Sequence, residues 1–540
     1  MAAPIQDRTA AAAANIPLAD LESATSSAPG HASQLPLPNI TVNGSAKPPR
    51  DDWDWLDYIE DFWHSAMIAL VPSFLQPYVG GKPAEPAKLH AIAALDGLRG
   101  WACMLVFHFH FFFTYTYTTS MGWGFGGENF YLHQLPFVHM LVSGHIMVAI
   151  FFVLSGYVLS YKPLKTARNQ SFDQTFTTLA SSTFRRALRL YIPPFVGLAC
   201  IFTAVRMGLY NYSWVVIKEG HTVVACNEEH PPIFKTTYEQ AWDLYYTVAR
   251  LINIFDYSIF YNNYNPHLWT IPIEFRSSLI LFMIILGTSR LKTGIRLFIS
   301  MSIIWFCTRY GRWDVVLFLV GMLLAEIDLI NGTWERPAAP ATILSDDKTH
   351  IRFNGGKFMI SISRRTVWLT VFAVGLYFGS LPNMGFKWTP GYMWLWDWTP
   401  YTYDEPHRFG QTIGAGIIVF SINHSPDIQK LFTNPLSQYL GKISFAFYIV
   451  HGPILHCLGY AVMPNIWSYT GKDTDFQFCF GFFLGYIILL PICICAGDFF
   501  WRFVDIPSVK LARWVENRVV VAAAVQGQPS APPPPARRTE

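Results

Sequence analysis

The run from Leu95 to Phe113, LDGLRGWACMLVFHFHFFF, constrains this chain more than any other stretch, because it carries Asp96, Arg99, His108 and His110 straight into an apolar segment. Ionisable side chains are costly inside a bilayer and are retained there for a partner or a task. On a helix, at about 100° and 1.5 Å per residue, Arg99 and His110 return to nearly the same face, roughly 16 Å apart along the axis. His108 points the other way. An arginine at one membrane surface and an imidazole near mid-bilayer on the same stripe read as two ends of a reaction site reaching from water into the membrane. A snorkelling arginine and a histidine bonded between helices are the plainer alternative.

Composition agrees with a membrane setting. Of 540 residues, 52% are hydrophobic and only 14% charged, and the mean hydropathy is +0.26, which describes a polytopic, all-α membrane protein. A net charge of +3 gives no argument for a nucleic-acid partner. Cys103, Cys200, Cys307, Cys457, Cys493 and Cys495 fall inside apolar segments, and no CxxC pair occurs, so neither a disulfide framework nor a metal site is expected. Residues 1–50 lack a charged region followed by an apolar one and read as a disordered tail, as does the Pro-rich end QGQPSAPPPPARRTE of a C-terminal tail, 511–540, expected in the cytosol. In the segment 51–89, Trp55, Ile59, Phe62, Ala66 and Leu70 make one apolar stripe, the pattern of a helix lying on a membrane surface or on the bundle.

Apolar stretches at 101–118, 138–160, 192–209, 268–287, 294–308, 312–330, 366–383, 410–424, 440–462 and 479–500 suggest about ten transmembrane helices. Residues 241–256, interrupted by Asp243 and Arg250, form a weaker candidate. Basic residues crowd every second connection, from Lys162 to Arg189, from Arg290 to Arg296 and from Lys348 to Arg365. By the positive-inside rule those connections are cytosolic, and an even number of spans puts both termini in the cytosol as well. The opposite loops, rich in Trp, Tyr, Asn and Gly, face the lumen or exterior, and an endomembrane such as the endoplasmic reticulum is the expected location. There Trp394, Trp396 and Trp398 either stack on a ligand ring or belong to the interfacial aromatic belt.

Three further constellations lie on other spans. In FRRALRLYIPP, residues 184–194, Arg185 and Arg189 are four apart on one helix face, a spacing that can grip a phosphate. In PHLWTIPIEFRSS, residues 266–278, Glu274 sits roughly 10 Å inside its span and needs a partner, for which His110, His451 and Arg276 are candidates. In SFAFYIVHGPI, residues 444–454, His451 lies at a depth similar to that of His110, beside the helix-loosening Pro453. His139, His145 and His456 have no comparable context.

Taken in order, LDGLRG with a His eleven residues after its Arg, FFVLSGYVLS, RRALRLYIPP, HLWTIPIE and SFAFYIVHGP resemble the membrane-bound acyltransferase-3 family over residues 90–510. The resemblance implies transfer of an acyl group, often acetyl, from acyl-CoA to a hydroxyl, with no tightly bound cofactor. It matches Arg99, His110, Glu274 and His451 to the family's catalytic positions, and Arg185, Arg186 and Arg189 to its cytosolic arginine cluster. The chain departs from the bacterial pattern after Glu274, where Phe275, Arg276, Ser277 and Ser278 follow, and resembles fungal single-module members, some of them associated with tailoring of secondary metabolites. Chemically, the arginines would hold the donor phosphates, His110 would take the acceptor's proton, Glu274 would orient that imidazole, and Arg99 would position the donor. The acceptor would be a small metabolite, with a cell-envelope glycan or lipid as the alternative. A proton-coupled transporter is the competing class, although no internal repeat supports it.

Overall fold

The computed structural model describes residues 67–80, 89–220, 222–224, 228, 230–334, 350–354 and 359–520. Most of the surface segment expected at 51–89, and the whole of the tail 1–50, lie outside these residues.

The described chain is helical apart from one antiparallel hairpin, β1 (His350–Asn354) and β2 (Met359–Ser363). The longer helices are α1 (Ala93–Phe113), α2 (Gly144–Arg168), α3 (Phe172–Arg206), α4 (Asn211–Glu219), α5 (Thr237–Ile252), α6 (Thr270–Thr288), α7 (Thr293–Arg309) and α8 (Trp313–Asn331). They continue with α9 (Arg364–Gly379), the short α10 (Met393–Trp398), α11 (His407–His424), α12 (Pro426–Phe432), α13 (Pro435–Ile454), α14 (Tyr460–Thr470), α15 (Asp475–Phe500) and α16 (Ile506–Val519). A helix therefore stands at each of the ten apolar stretches, and the weaker candidate at 241–256 is α5. Among the described residues, five segments are long and apolar enough to cross a membrane: Gly144–Arg168, Phe172–Arg206, Pro266–Thr288, Pro435–Thr470 and Asp475–Val519.

Two differences from the sequence expectation have simple causes. Charge interrupts the apolar run, so the basic residues 184–189 read as the entry of a span that begins near residue 192. They belong to α3, a 35-residue helix that starts at Phe172 and carries the arginines before its apolar half begins. Similarly, residues 511–519 are helical rather than part of a tail, because α16 packs along α3 and ties Arg185 to Glu516 at 3.1 Å.

The centre of the bundle is formed where α1 lies against α13. A Cβ on Gly100 would meet the Gly441 nitrogen at 2.4 Å, and one on Gly441 would meet the Asp96 oxygen at 2.5 Å. Two glycines thus let the backbones touch, as small residues do between membrane helices. One consequence is that the Arg99 guanidinium donates across the seam to the Gly441 carbonyl at 2.7 Å. On the other side of α1, buried Ile146, Ile150 and Val153 of α2 and Phe318 and Met322 of α8 continue the apolar core.

Candidate active site

Pro453 sets the local geometry. It has no N–H to give to the carbonyl of Ile449 one turn back, so that oxygen needs another donor. The Asn265 side chain supplies it, its Nδ2 donating to the Ile449 carbonyl at 2.9 Å. Asn265 closes a tight turn with Asn262 and leads directly into Pro266 and His267. The loosened helix therefore docks the segment that carries His267. Gly452 makes room for it, since a Cβ there would fall 2.0 Å from His267 Nδ1. Immediately after, a π-helical turn, Leu455–Gly459, widens the helix and turns His456 inward, a common device at functional sites.

On the facing helix α1, His110 is half-buried and lies against both elements. Its Nδ1 is 2.7 Å from Glu228 Oε1 and 3.0 Å from His267 Nε2. The second carboxylate oxygen of Glu228 is 2.7 Å from His456 Nε2 and 3.5 Å from His267 Nε2. A carboxylate only accepts, so His110 carries its proton on Nδ1 and His456 on Nε2. The unprotonated Nε2 of His110 then remains as the basic nitrogen, and it makes no hydrogen bond among the described residues. Glu228 reaches this position from the irregular loop between α4 and α5. Tyr460 donates to its main-chain oxygen at 3.0 Å, and Ser213 pairs with His230 at 2.8 Å two residues on. Burial would raise the Glu228 carboxyl, but His110 and His267 beside it hold it well below the ordinary 4.5. It is an anion at neutral pH.

The ring of His451 stacks on His267 with centroids 4.8 Å apart and stands 5.6 Å from His110. His451 Nδ1 donates to the Phe447 carbonyl at 3.1 Å, and its buried Nε2 has no partner among the described residues. His108 faces away, as its place on the helix requires, and bonds the Tyr486 hydroxyl at 2.6 Å.

Glu274 has none of its expected partners. Arg186 donates to it at 2.7 Å and Ser155 at 2.9 Å, which places it one turn deeper along α6 than Thr270 and away from the histidines. Arg276, on the opposite side of α6, is 3.4 Å from Asp314. The arginine cluster is accordingly divided. Arg186 points into the bundle and Arg185 pairs with Glu516, while Arg189 makes no hydrogen bond or ion pair among the described residues and lies within electrostatic reach of Arg99 and Asp505. Arg99 is itself 3.9 Å from Asp96, which His90 holds at 2.8 Å.

His110, Glu228 and His267 line a cavity of about 570 Å³ together with His145, Glu405 and His407. Val106, Phe109, Phe113, Val148 and Trp269 supply apolar wall, and Tyr117, Ser120, Tyr261, Thr270, Asp404 and Tyr448 add polar groups to it. Trp394, Trp396 and Trp398 do not line it and are exposed. Three groups bring ligand atoms within 4.8 Å of one another and so have metal-ligand spacing: His110 with His267 and His451, Glu228 with His267 and His456, and His145 with Glu405 and His407.

Sequence reasoning passed over Glu228, His267 and His456. His267 lay inside a motif already singled out, PHLWTIPIEFRSS, and its place two residues after Asn265 and just before α6 was a usable signal. Glu228 had none, because an irregular loop has no period to read.

A family described as an acyltransferase domain matches residues 92–502. Among curated proteins, an O-acetyltransferase of Phomopsis amygdali, PaAT-1, is 31% identical over 463 residues, covering 83% of this chain and 88% of its own length. Acyltransferase clz18 of Cochliobolus lunatus is 27% identical over 400 residues, covering 71% of this chain and 83% of its own. Acyltransferase R4 of a Phoma species is 27% identical over 403 residues, with the same two coverages. No solved structure matches significantly.

Proposed function

The chain belongs to the acyltransferase-3 family and is an acyltransferase; from that premise we propose that it moves an acetyl group from acetyl-CoA to a hydroxyl of a small metabolite, with His110 as the general base. The observation that carries this reading is the 2.7 Å contact between His110 Nδ1 and Glu228 at the wall of an apolar cavity. A carboxylate that fixes one ring nitrogen leaves the other to take a proton, the logic of the His–Asp pair in serine hydrolases. As His110 Nε2 removes the acceptor's proton, the hydroxyl oxygen attacks the thioester carbonyl. The carbon–sulfur bond breaks, and the proton passes from His110 to the departing CoA thiolate. Atoms and charge balance without another reactant.

The donor's phosphates belong on the cytosolic side, where Arg189 supports binding with Arg99 and Arg185 beside it. Its thioester arm then runs along α1, whose Arg99 and His110 are roughly 16 Å apart by the helical rise. His267 and His456 bracket Glu228, and His451 packs behind His267; these are positioning residues. Glu274 holds Arg186 and ties α2, α3 and α6 together. About ten helices cross the membrane, with both termini cytosolic, in an endomembrane. Transfer of an acetyl group to oxygen agrees with the similarity to the Phomopsis O-acetyltransferase.

The test is release of free CoA thiol from acetyl-CoA by membranes containing the protein, on addition of an acceptor extract. Release that depends on both extract and His110 supports the reading. Acceptor-dependent release that is equal in His110→Ala membranes overturns it.

A further inference from the structure

His145, Glu405 and His407 form a cluster that the proposed transfer does not use. Gly144 opens α2 directly against α1, where a Cβ would fall 2.6 Å from the Phe109 ring, so His145 enters the bundle in the first turn of that helix. Pro406, the residue that precedes α11, has its φ set by its own ring and separates Glu405 from His407. The two imidazoles stand 5.1 Å apart by centroids, and ligand atoms of all three side chains lie within 4.8 Å of one another. Two ligands of one tetrahedral zinc ion, each about 2.1 Å from it, stand roughly 3.4 Å apart. Small side-chain rotations reach that spacing.

Each of the three is held by a neighbour at its other polar atom. The Asn383 side chain bonds His145 Nδ1 at 2.7 Å, and the Asn383 main chain bonds His407. An amide can meet an imidazole through its oxygen. The 3.4 Å contact from Gln411 Nε2 to Asn383 does not fix that amide otherwise, because the same donor already gives to the Leu381 carbonyl at 3.0 Å. With His145 Nδ1 donating to Asn383, the Nε2 lone pair is free. His407 is only 4% exposed, and its buried Nε2 has no partner among the described residues. A buried polar atom left in this way is costly unless a ligand supplies the missing bond. Arg408 bonds Glu405 at Oε2, which leaves Oε1. Imidazoles and carboxylates that bind metal are commonly oriented by such bonds at their second polar atom. Asp404 on the same cavity wall adds its negative charge to that of Glu405.

We propose that His145, Glu405 and His407 bind one zinc ion. Two imidazoles with one carboxylate are the protein ligands of an open zinc site, and they suit a transition metal better than calcium or magnesium, which take oxygen. The other two groups with metal-ligand spacing are closed by their own hydrogen bonds. Glu228 lies 2.7 Å from both His110 and His456, and His267 Nε2 lies 3.0 Å from His110 Nδ1, nearer than two ligands of one ion stand. Among the described residues, no hydrogen bond joins His145, Glu405 and His407 to one another. The three line the same cavity as His110, and the Phe109 ring touches both His110 and His145, at 5.1 and 5.3 Å by centroids. A fourth position open to that cavity holds an oxygen of the acceptor, so the ion serves as a template for the substrate. That role rests on the acyltransferase reading; the binding of zinc does not.

Zinc binding by the full-length protein in lipid nanodiscs, purified through a tag without histidines, tests the proposal. Metal content is read by plasma mass spectrometry, and the Kd of chelator-stripped protein for zinc alone by competition with a fluorescent chelator. Wild type is expected to hold one zinc ion per chain with a submicromolar Kd. His407→Phe weakens binding by about 100-fold or more, while His407→Cys, which keeps a zinc ligand, retains most of it. His110→Ala and His267→Gln, which alter the other two groups, keep the ion. Wild type that takes up zinc only at millimolar concentration overturns the proposal whether or not any variant folds. So does zinc that persists in His407→Phe, or zinc lost in His267→Gln and kept in His407→Phe, since the ion then sits elsewhere. Zinc content is read without turnover, so failure of the acyltransferase reading is a separate outcome, seen as zinc-loaded protein that releases no CoA.

Discussion

Two carboxylates, Glu228 buried and Glu274 half-buried, stand in contrasting surroundings. Glu274 comes from inside α6, a helix long and apolar enough to cross a membrane, and is neutralised by a guanidinium at 2.7 Å. Glu228 comes from a loop, and among the described residues its carboxylate meets only imidazoles, at 2.7 Å from His110 and from His456. An arginine keeps its proton under all ordinary conditions, so the Arg186–Glu274 pair is a fixed structural dipole. An imidazole gains and loses its proton near neutrality, so a carboxylate among imidazoles can support proton transfer. The difference teaches that a carboxylate in a span is not thereby the catalytic one. Its partner decides.

The largest effect expected is on the base itself. His110→Ala should lower transfer by about 10²- to 10⁴-fold while the protein still accumulates in the membrane. His108→Ala should be far milder, since that ring bonds Tyr486 on the opposite side of α1. Initial rates of CoA release, normalised to inserted protein, compare them. Equal losses would break the facial argument.

Next comes the ion pair. Glu274→Ala leaves Arg186 buried without its carboxylate, and breaking one partner of such a pair costs roughly 3–5 kcal/mol. The variant should accumulate poorly and unfold at lower temperature in detergent. Normal accumulation with no thermal shift would contradict a structural role.

The arginines of α3 should respond unequally. Arg189→Gln should raise the donor KM, by about ten-fold, with little change in kcat, because donor phosphates bind alike in the ground and transition states. Arg185→Gln should do less, since Glu516 already engages that side chain. Protease accessibility confirms insertion, and an unchanged donor KM in both variants would assign the cluster to topology instead.

The smallest effect concerns pH. The Glu228 carboxyl is depressed below its ordinary 4.5, so its stabilising contribution is complete above that value and is lost as pH falls through the depressed one. The stability gap between wild type and Glu228→Gln should be constant above about pH 5 and close only in stronger acid. A gap that widens on acidification would reverse the sign.

Much of the helical framework was legible in the sequence because apolar runs and a period of 3.6 are local properties. Arg99 and His110 could be placed on one face from spacing alone, and His108 excluded from it. The partners could not be read this way. Glu274 bonds Arg186 and Ser155 because three helices converge, and nothing within any one of them records that. Glu228 is delivered by loop residues, and His456 by a π turn that shifts the helical phase after Pro453, so counting at 100° per residue fails there. Arg186 was grouped with its neighbours by charge, although adjacent helical positions point in different directions. His145 and His407, far apart in sequence, meet only through tertiary packing.

The central claim, that Glu228 rather than Glu274 serves His110, is tested most directly by kcat for acetyl transfer in Glu228→Gln and Glu274→Gln, each expressed per correctly folded molecule at saturating donor. Glutamine keeps the volume of either side chain and removes its charge. The expected result is a loss of about 10²-fold in Glu228→Gln, with Glu274→Gln close to wild type per folded molecule despite its lower yield. A Glu274→Gln protein that folds but does not turn over, beside a Glu228→Gln protein with nearly normal kcat, would contradict it.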